Sequence, residues 1–150
     1  PFHAVWGWLQ VADVWPLGDV PSVPEWARYH PHLHGERSVR NCLYVSGDRL
    51  QIPGLREDLP AAGAVQALSD QHRLTAPGAA KVTEWRLPAA FMPQPGKSSL
   101  SYHHNPERWR LEDSGEYCRL KCAARGQEFV LDLEQYPGVS EWLLTPGLLS

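Results

Sequence analysis

Residues 2–15 read Phe2-His3-Ala4-Val5-Trp6-Gly7-Trp8-Leu9-Gln10-Val11-Ala12-Asp13-Val14-Trp15, and the reading of this stretch decides the fold. It is rich in β-branched and aromatic residues and alternates in part, with Val5, Gly7, Leu9, Val11 and Asp13 opposing Trp6, Trp8, Gln10 and Val14. Such a run predicts a long strand near the centre of a sheet. Trp6 and Trp8 then share one face. That tryptophan wall either packs against a C-terminal helix bearing Trp142 or lines a cavity, and core packing is preferred because so apolar a strand needs covering.

Outward from this strand, Pro16, Gly18, Pro21 and Pro24 break the pattern. Pro24-Glu25-Trp26-Ala27-Arg28-Tyr29 has the proline and acid of a short helix start. His30 precedes a proline and is pushed out of the α region, so Tyr29-His30-Pro31-His32-Leu33-His34 reads as exposed, irregular backbone. Cys42–Ser46 is a short strand flanked by the turn formers Asn41, Gly47 and Asp48. Weak strands are expected at Val65–Leu68, at His72–Thr75 and at Glu84–Leu87, and Pro106-Glu107-Arg108-Trp109 predicts a single helical turn. Tyr117–Ala123 and Glu128–Leu133 both alternate, with Arg125-Gly126-Gln127 between them, which predicts a hairpin or a strand-to-strand corner. Pro137–Leu144 reads as an amphipathic helix with Val139, Trp142 and Leu143 on one face, stopped by Pro146-Gly147. The fold class is α+β, mostly β: a small twisted sheet with short helices and a C-terminal helix.

The chain has 150 residues and 43% hydrophobic content, which predicts a single domain over 1–150. Its formal net charge of −3 gives no overall field toward a phosphate backbone, so non-specific duplex binding is disfavoured. Seven Trp against three Phe and one Met is an unusual inventory, suited both to cores and to pockets that stack flat ligands. No apolar run is long enough to span a membrane, and no signal peptide is expected. The first residue is Pro1 and the apolar run begins at once, so the chain is expected to be the C-terminal part of a longer protein. Three cysteines, Cys42, Cys118 and Cys122, suit reduced thiols in a cytoplasmic protein better than a disulfide framework. Cys118 and Cys122 fall on one face of their strand, without a second pair to complete a zinc site.

Seven ordered stretches together resemble one family. They are His3-x-Val5-Trp6-Gly7-Trp8-Leu9-Gln10-Val11, Trp26-Ala27-Arg28-Tyr29-His30-Pro31-His32, Asn41-x-Leu43-Tyr44-Val45, Leu74-Thr75-Ala76-Pro77-Gly78, Trp85-Arg86-Leu87-Pro88, Leu100-Ser101-Tyr102-His103 and Ala124-Arg125-Gly126-Gln127-Glu128-Phe129-Val130. In this order they are similar to the nucleotide modification associated domain 3 family of bacteria and phages, over roughly residues 3–144 and as its C-terminal portion. The resemblance implies a role in DNA or nucleotide base modification without fixing a reaction or a cofactor. The stretch from Leu50 to Leu68 departs most from the family pattern, with Gly63-Ala64-Val65-Gln66 in place of a Gly-Val-Phe-like strand. A looser analogy, carried by Gly7-Trp8-Leu9-Gln10-Val11, is to a partly open PUA-like barrel whose aromatic-lined pocket takes a flipped base.

The residues singled out as binding candidates are Arg28, Tyr29, His30, His32, Asn41, Tyr102, His103, Arg125, Gln127 and Glu128. In an extended segment His30, His32 and His34 project to one side and could hold a metal. No carboxylate stands at matching spacing, so hydrogen-bonding histidines are the preferred reading and no metal is assigned. In Tyr102-His103-His104-Asn105 the tyrosine could stack a base and His103 donate to it; the alternative is a core tyrosine and a turn-capping histidine. Arg125 suits a phosphate or guanine edge and Gln127 a base edge, with Gly126 permitting close approach; the alternative is an Arg125–Glu128 pair pinning a corner. Arg28 could bind phosphate or simply be solvated. Asp13, Asp48 and Glu128 are the candidate general bases, and nothing in the sequence chooses among them.

Three functions compete. One is an enzyme or enzyme subunit altering a base or nucleotide in an aromatic- and histidine-lined pocket. Another is a non-catalytic reader of modified bases, and the third is a structural interaction domain. The expected partner is a nucleotide or modified nucleobase, with DNA engaged alongside an upstream part of the protein. Walker-type, Gly-x-Gly-x-x-Gly, nucleophile-elbow and zinc-deaminase patterns are missing, so those chemistries lack support.

Overall fold

A computed structural model describes residues 1–18, 23–34, 41–123 and 129–149. Within them the opening run breaks into two strands, β1 (Gly7–Leu9) and β2 (Val11–Pro16), that join different sheets. The cause is Gln10. Its backbone N–H donates to Ala61 O at 2.7 Å, while its side-chain amide donates to Gln51 O at 2.9 Å and accepts from Gln51 N–H at 2.6 Å. A side chain thus takes over ladder positions that a continuous strand would fill with backbone. A register shift between Val11 and Asp13 bends the chain again. The expected long central strand is therefore two short, largely exposed ones.

The further strands are β3 (Cys42–Ser46), β4 (Ala62–Ala64), β5 (Glu84–Pro88), β6 (Trp109–Leu111) and β7 (Tyr117–Lys121), followed by the helix α1 (Pro137–Leu143). Among the described residues five single-turn 3-10 helices punctuate the loops. Among the described residues the strands pair as β1-β4, β2-β3 and β5-β7-β6, three small sheets with no closed barrel. The protein is α+β and mostly β. No helix among the described residues is long and apolar enough to cross a membrane.

The chain divides into two compact units, a larger one of Pro1–Gly7, Ile52–Leu55 and Ala64–Ser150 and a smaller one of Trp8–Gln51 and Arg56–Gly63. In the larger unit, β7 lies between β5 and β6, with Trp85 opposite Leu120 and Leu120 opposite Trp109. These residues face inward with Leu87 and Cys118 and meet Leu74, Phe91, Leu100, Tyr136 and Val139 in one core. Alternation explains it: every second residue of β5 and β7 is buried. Pro137 starts α1 at a position where its missing N–H is no loss, and the helix packs Trp142 edge-on against Phe91 at 5.2 Å. Val139, Trp142 and Leu143 all lie against the core, as their helical spacing predicts.

Among the described residues Phe129–Leu133 does not pair with Tyr117–Ala123 as the expected hairpin would require, and the alternative corner lies outside them. Strand β7 pairs instead with β6 across a turn containing Gly115 (φ 72°) and, on its other side, with β5. Both edges of β7 are thereby taken, so Phe129–Leu133 has no ladder to join. Phe129, Leu131 and Leu133 still pack on the core, which is what their alternation recorded. The Arg125-Gly126-Gln127 corner lies outside the described residues. Two further expectations shift: Val65–Leu68 gives way to β4, and His72 ends a 3-10 turn, Asp70–His72, whose capping box joins Ser69 and the His72 ring.

In the smaller unit, β2 and β3 run antiparallel, with Trp15 opposite Leu43 and Val14 opposite Tyr44. Leu17, Ala27 and Leu43 form its core, flanked by Trp15, Val23 and Leu33. Glu25–Ala27 makes the expected turn after Pro24. Trp8 lies across Gly63, and a Cβ there would stand 2.4 Å from Trp8 Cζ2, so this close approach requires glycine. Trp6, by contrast, is 69% exposed and belongs to no core, which corrects the expectation of a buried tryptophan wall.

Candidate functional site

The site begins with a turn in the larger unit. Leu100 and His103 are both buried, and His103 N–H donates to Leu100 O at 3.0 Å, closing a four-residue turn with Ser101 and Tyr102 at its centre. Tyr102 occupies the position with positive φ, 64°, where glycine is favoured, and its side chain is 63% exposed. It is the one non-glycine residue with positive φ among those described. A left-handed residue of this kind is unfavourable by roughly 1–2 kcal/mol, so the surroundings must impose it.

They do so through Ser101 and His103. Ser101 N–H donates to Val130 O at 3.0 Å, and Ser101 Oγ accepts from Val130 N–H at 2.8 Å. His103 is 0% exposed. Its Nδ1 lies 2.8 Å from Ser101 O, and its Nε2 accepts from Ala123 N–H at 3.2 Å. A carbonyl only accepts and an amide N–H only donates, so the ring must be neutral with its proton on Nδ1. Burial acts in the same direction, holding the His103 pKa below the usual imidazole value, with the positive charge of Arg108 and His104 assisting against the Ser101 hydrogen bond. His103 O also accepts from the Trp109 indole at 2.7 Å. Both ring nitrogens are committed to the backbone, which is the geometry of a framework group that aims Tyr102 outward.

Trp85 lies behind this turn, its ring 5.7 Å from His103, 5.9 Å from Phe129 and 5.8 Å from His3. His3 Nδ1 accepts from the Trp85 indole N–H at 3.0 Å, so its Nε2 carries the proton and has no partner among the described residues. His3 backbone N–H and O are pinned by Thr75 Oγ1 and Leu74 N–H. Sequence reasoning quoted His3 within the family-like stretch and did not single it out; its position at the head of that stretch was the available signal. Of the two imidazoles flanking Trp85, His3 alone keeps a ring donor to offer. Cys118 and Cys122 lie in the same core as free thiols, pushed up to about 12 and about 11 by burial.

Five further candidates, Arg28, Tyr29, His30, His32 and Asn41, belong to the smaller unit. Arg28 is exposed, Tyr29 is 80% exposed, and His30 and Asn41 are half-buried. Pro31–Leu33 is a 3-10 turn, so the backbone around His30, His32 and His34 is helical and the extended alternation expected of it does not apply. Asn41 O accepts from Leu17 N–H at 2.9 Å. Of the candidate bases, Asp13 is occupied locally, accepting from Val14 N–H at 2.8 Å and from the Trp15 indole at 2.7 Å. Arg125, Gln127 and Glu128 lie outside the described residues. Among the described residues no group of three His, Cys, Asp or Glu side chains could hold a metal ion.

A mostly β framework displaying exposed rings and a committed imidazole belongs, by comparison with protein families, to the proteins associated with nucleotide modification. Residues 1–132 match the family described as nucleotide modification associated domain 3, and the chain is a member of it. Membership carries a general association with nucleotide or DNA modification, and α1 lies beyond the matched residues. No curated protein and no solved structure matches the chain.

Proposed function

We propose that this chain serves base modification by binding a nucleobase or nucleotide, with Tyr102 as the stacking ring. The observation that carries this reading is Tyr102 itself, an exposed aromatic held in a left-handed conformation by a buried and fully hydrogen-bonded neighbour. Strain that the surroundings enforce on an exposed side chain is a mark of function. A base stacked on one ring contributes about 1–3 kcal/mol. In the smaller unit, Arg28, Tyr29, His30, His32 and Asn41 form a second set of candidate contacts, to be tested by themselves, and Arg125, Gln127 and Glu128 stay in the proposal as groups for a phosphate or a base edge.

Between altering a base and reading one, the commitment of both His103 nitrogens favours reading, because no proton on that ring is free to move. The test is titration of the protein with canonical and modified nucleosides and nucleotides while tryptophan fluorescence is followed. Binding that falls about 5–150-fold in Tyr102→Ala and survives in Tyr102→Phe supports the reading. A flat response to every nucleoside and nucleotide overturns it.

A further inference from the structure

The three-stranded sheet of the larger unit buries one face and turns the other to solvent. On the outer face the register sets three arginines in a row: Arg86 of β5 is opposite Arg119 of β7, and Arg119 is opposite Arg110 of β6. One pair further along, Lys121 stands opposite Glu84. Like charges directly opposed on neighbouring strands destabilise a sheet, so the fold gains nothing from this row. Strands about 4.8 Å apart make the row roughly 10 Å wide.

Its compensation is partial. Glu112 accepts from Arg86 Nε at 3.1 Å and from Arg119 Nε, and the two guanidiniums hold its carboxyl below the usual carboxylate range, Arg119 foremost. The Arg86 guanidinium also lies 3.3 Å over the ring of Tyr117. Arg110 and Lys121 are exposed and have no hydrogen bond or ion pair among the described residues. The face therefore carries four cations against the carboxylates of Glu84 and Glu112, on a chain whose net charge is −3. Two of the cations are fixed in place, and two are open to an incoming anion.

We infer that this face docks onto the phosphate backbone of duplex DNA, with Arg110 and Lys121 making the phosphate contacts and the Glu112-braced Arg86 and Arg119 supplying the fixed field between them. Charge complementarity selects the occupant: a duplex presents about one negative charge per 1.7 Å of its axis, the density that a row of cations answers. A single strand is the weaker match, since single-strand grooves add open aromatic platforms and the Tyr117 ring already has a guanidinium stacked on it. The inference does not depend on Tyr102.

The test is fluorescence anisotropy of a labelled short duplex of mixed sequence over a range of salt, with the wild-type protein, Arg110→Gln, Lys121→Gln and the double variant Arg110→Glu/Lys121→Glu. Neither side chain has a hydrogen bond or ion pair among the described residues, so the thermal midpoint of each glutamine variant should match the wild type, which separates binding from folding. Each glutamine substitution is expected to lower the slope of log K against log salt by about 0.9, and the double variant to abolish binding. Tyr102→Ala should leave that slope unchanged. Absent duplex binding by the wild type, a slope unaltered by the substitutions, or tighter binding to single strands, RNA or anionic vesicles than to duplex DNA overturns the inference. Nucleoside binding would survive any of those results, so the two readings fail separately.

Discussion

His103 Nε2 accepts a hydrogen bond from the backbone N–H of Ala123, 20 residues further along the chain, at 3.2 Å. The same ring donates from Nδ1 to Ser101 O, so one buried imidazole ties the Tyr102 turn to the segment that follows β7. His103→Ala leaves both backbone groups without a partner and opens a cavity beside Trp85. A loss of about 3 kcal/mol is expected in urea unfolding.

The same geometry sets a pH dependence. The folded pKa of His103 lies below its unfolded value, near 6.5, so between the two the unfolded chain binds more protons. The contribution of the neutral ring to stability is therefore complete above about pH 6.5 and is lost progressively as pH falls toward the folded pKa. Urea midpoints measured from neutral to mildly acidic pH should fall, and His103→Gln should flatten the decline.

At Tyr102, substitution by glycine separates strain from packing. Relief of the left-handed conformation gives back roughly 1–2 kcal/mol, and the freer unfolded chain of glycine takes away about 0.5–1. Stability should hold or rise slightly while nucleobase binding falls. A drop in stability of more than about 1 kcal/mol would mean that the ring is a packing element, because an exposed surface substitution moves stability by less.

Gly63→Ala is expected to destabilise the smaller unit by about 2 kcal/mol, since the new Cβ would meet Trp8 at 2.4 Å. Combining it with Trp8→Leu should recover most of the loss. Recovery in the pair, measured as a double-mutant cycle, identifies the clash as the cause.

Thiol labelling gives an independent check on the core. Cys42 is half-buried, whereas Cys118 and Cys122 are buried with their thiols pushed up to about 12 and about 11. One thiol of the three should react in the native protein at mildly alkaline pH, and the other two only on unfolding. Rapid native labelling at Cys118 would contradict the packing of β7 against β5.

What the sequence made legible was local. Cys42–Ser46, Glu84–Leu87 and Tyr117–Lys121 were legible as strands, and in Tyr117–Lys121 the alternation also marked the inward face. Prolines marked the turns at Glu25 and Pro106 and the start of α1, because a fixed φ and a missing N–H restrict where proline can stand. The order of the family-like stretches led to the family that residues 1–132 match. The conformation of Tyr102 was not legible, since nothing about a tyrosine between Ser101 and His103 announces a positive φ. A core ring was equally consistent with the residue type.

Amino-acid order by itself determined the strands at Cys42–Ser46, Glu84–Leu87 and Tyr117–Lys121, the proline-marked turns and the C-terminal helix with its inward face, because propensity and periodicity act between near neighbours. Tertiary structure alone decided which strands pair, how Gln10 splits the opening run, which of the two imidazoles beside Trp85 keeps a ring donor, and that three arginines share one row. Those outcomes depend on hydrogen-bond partners tens of residues away, and a partner's donor or acceptor exists at a position only once the chain has folded.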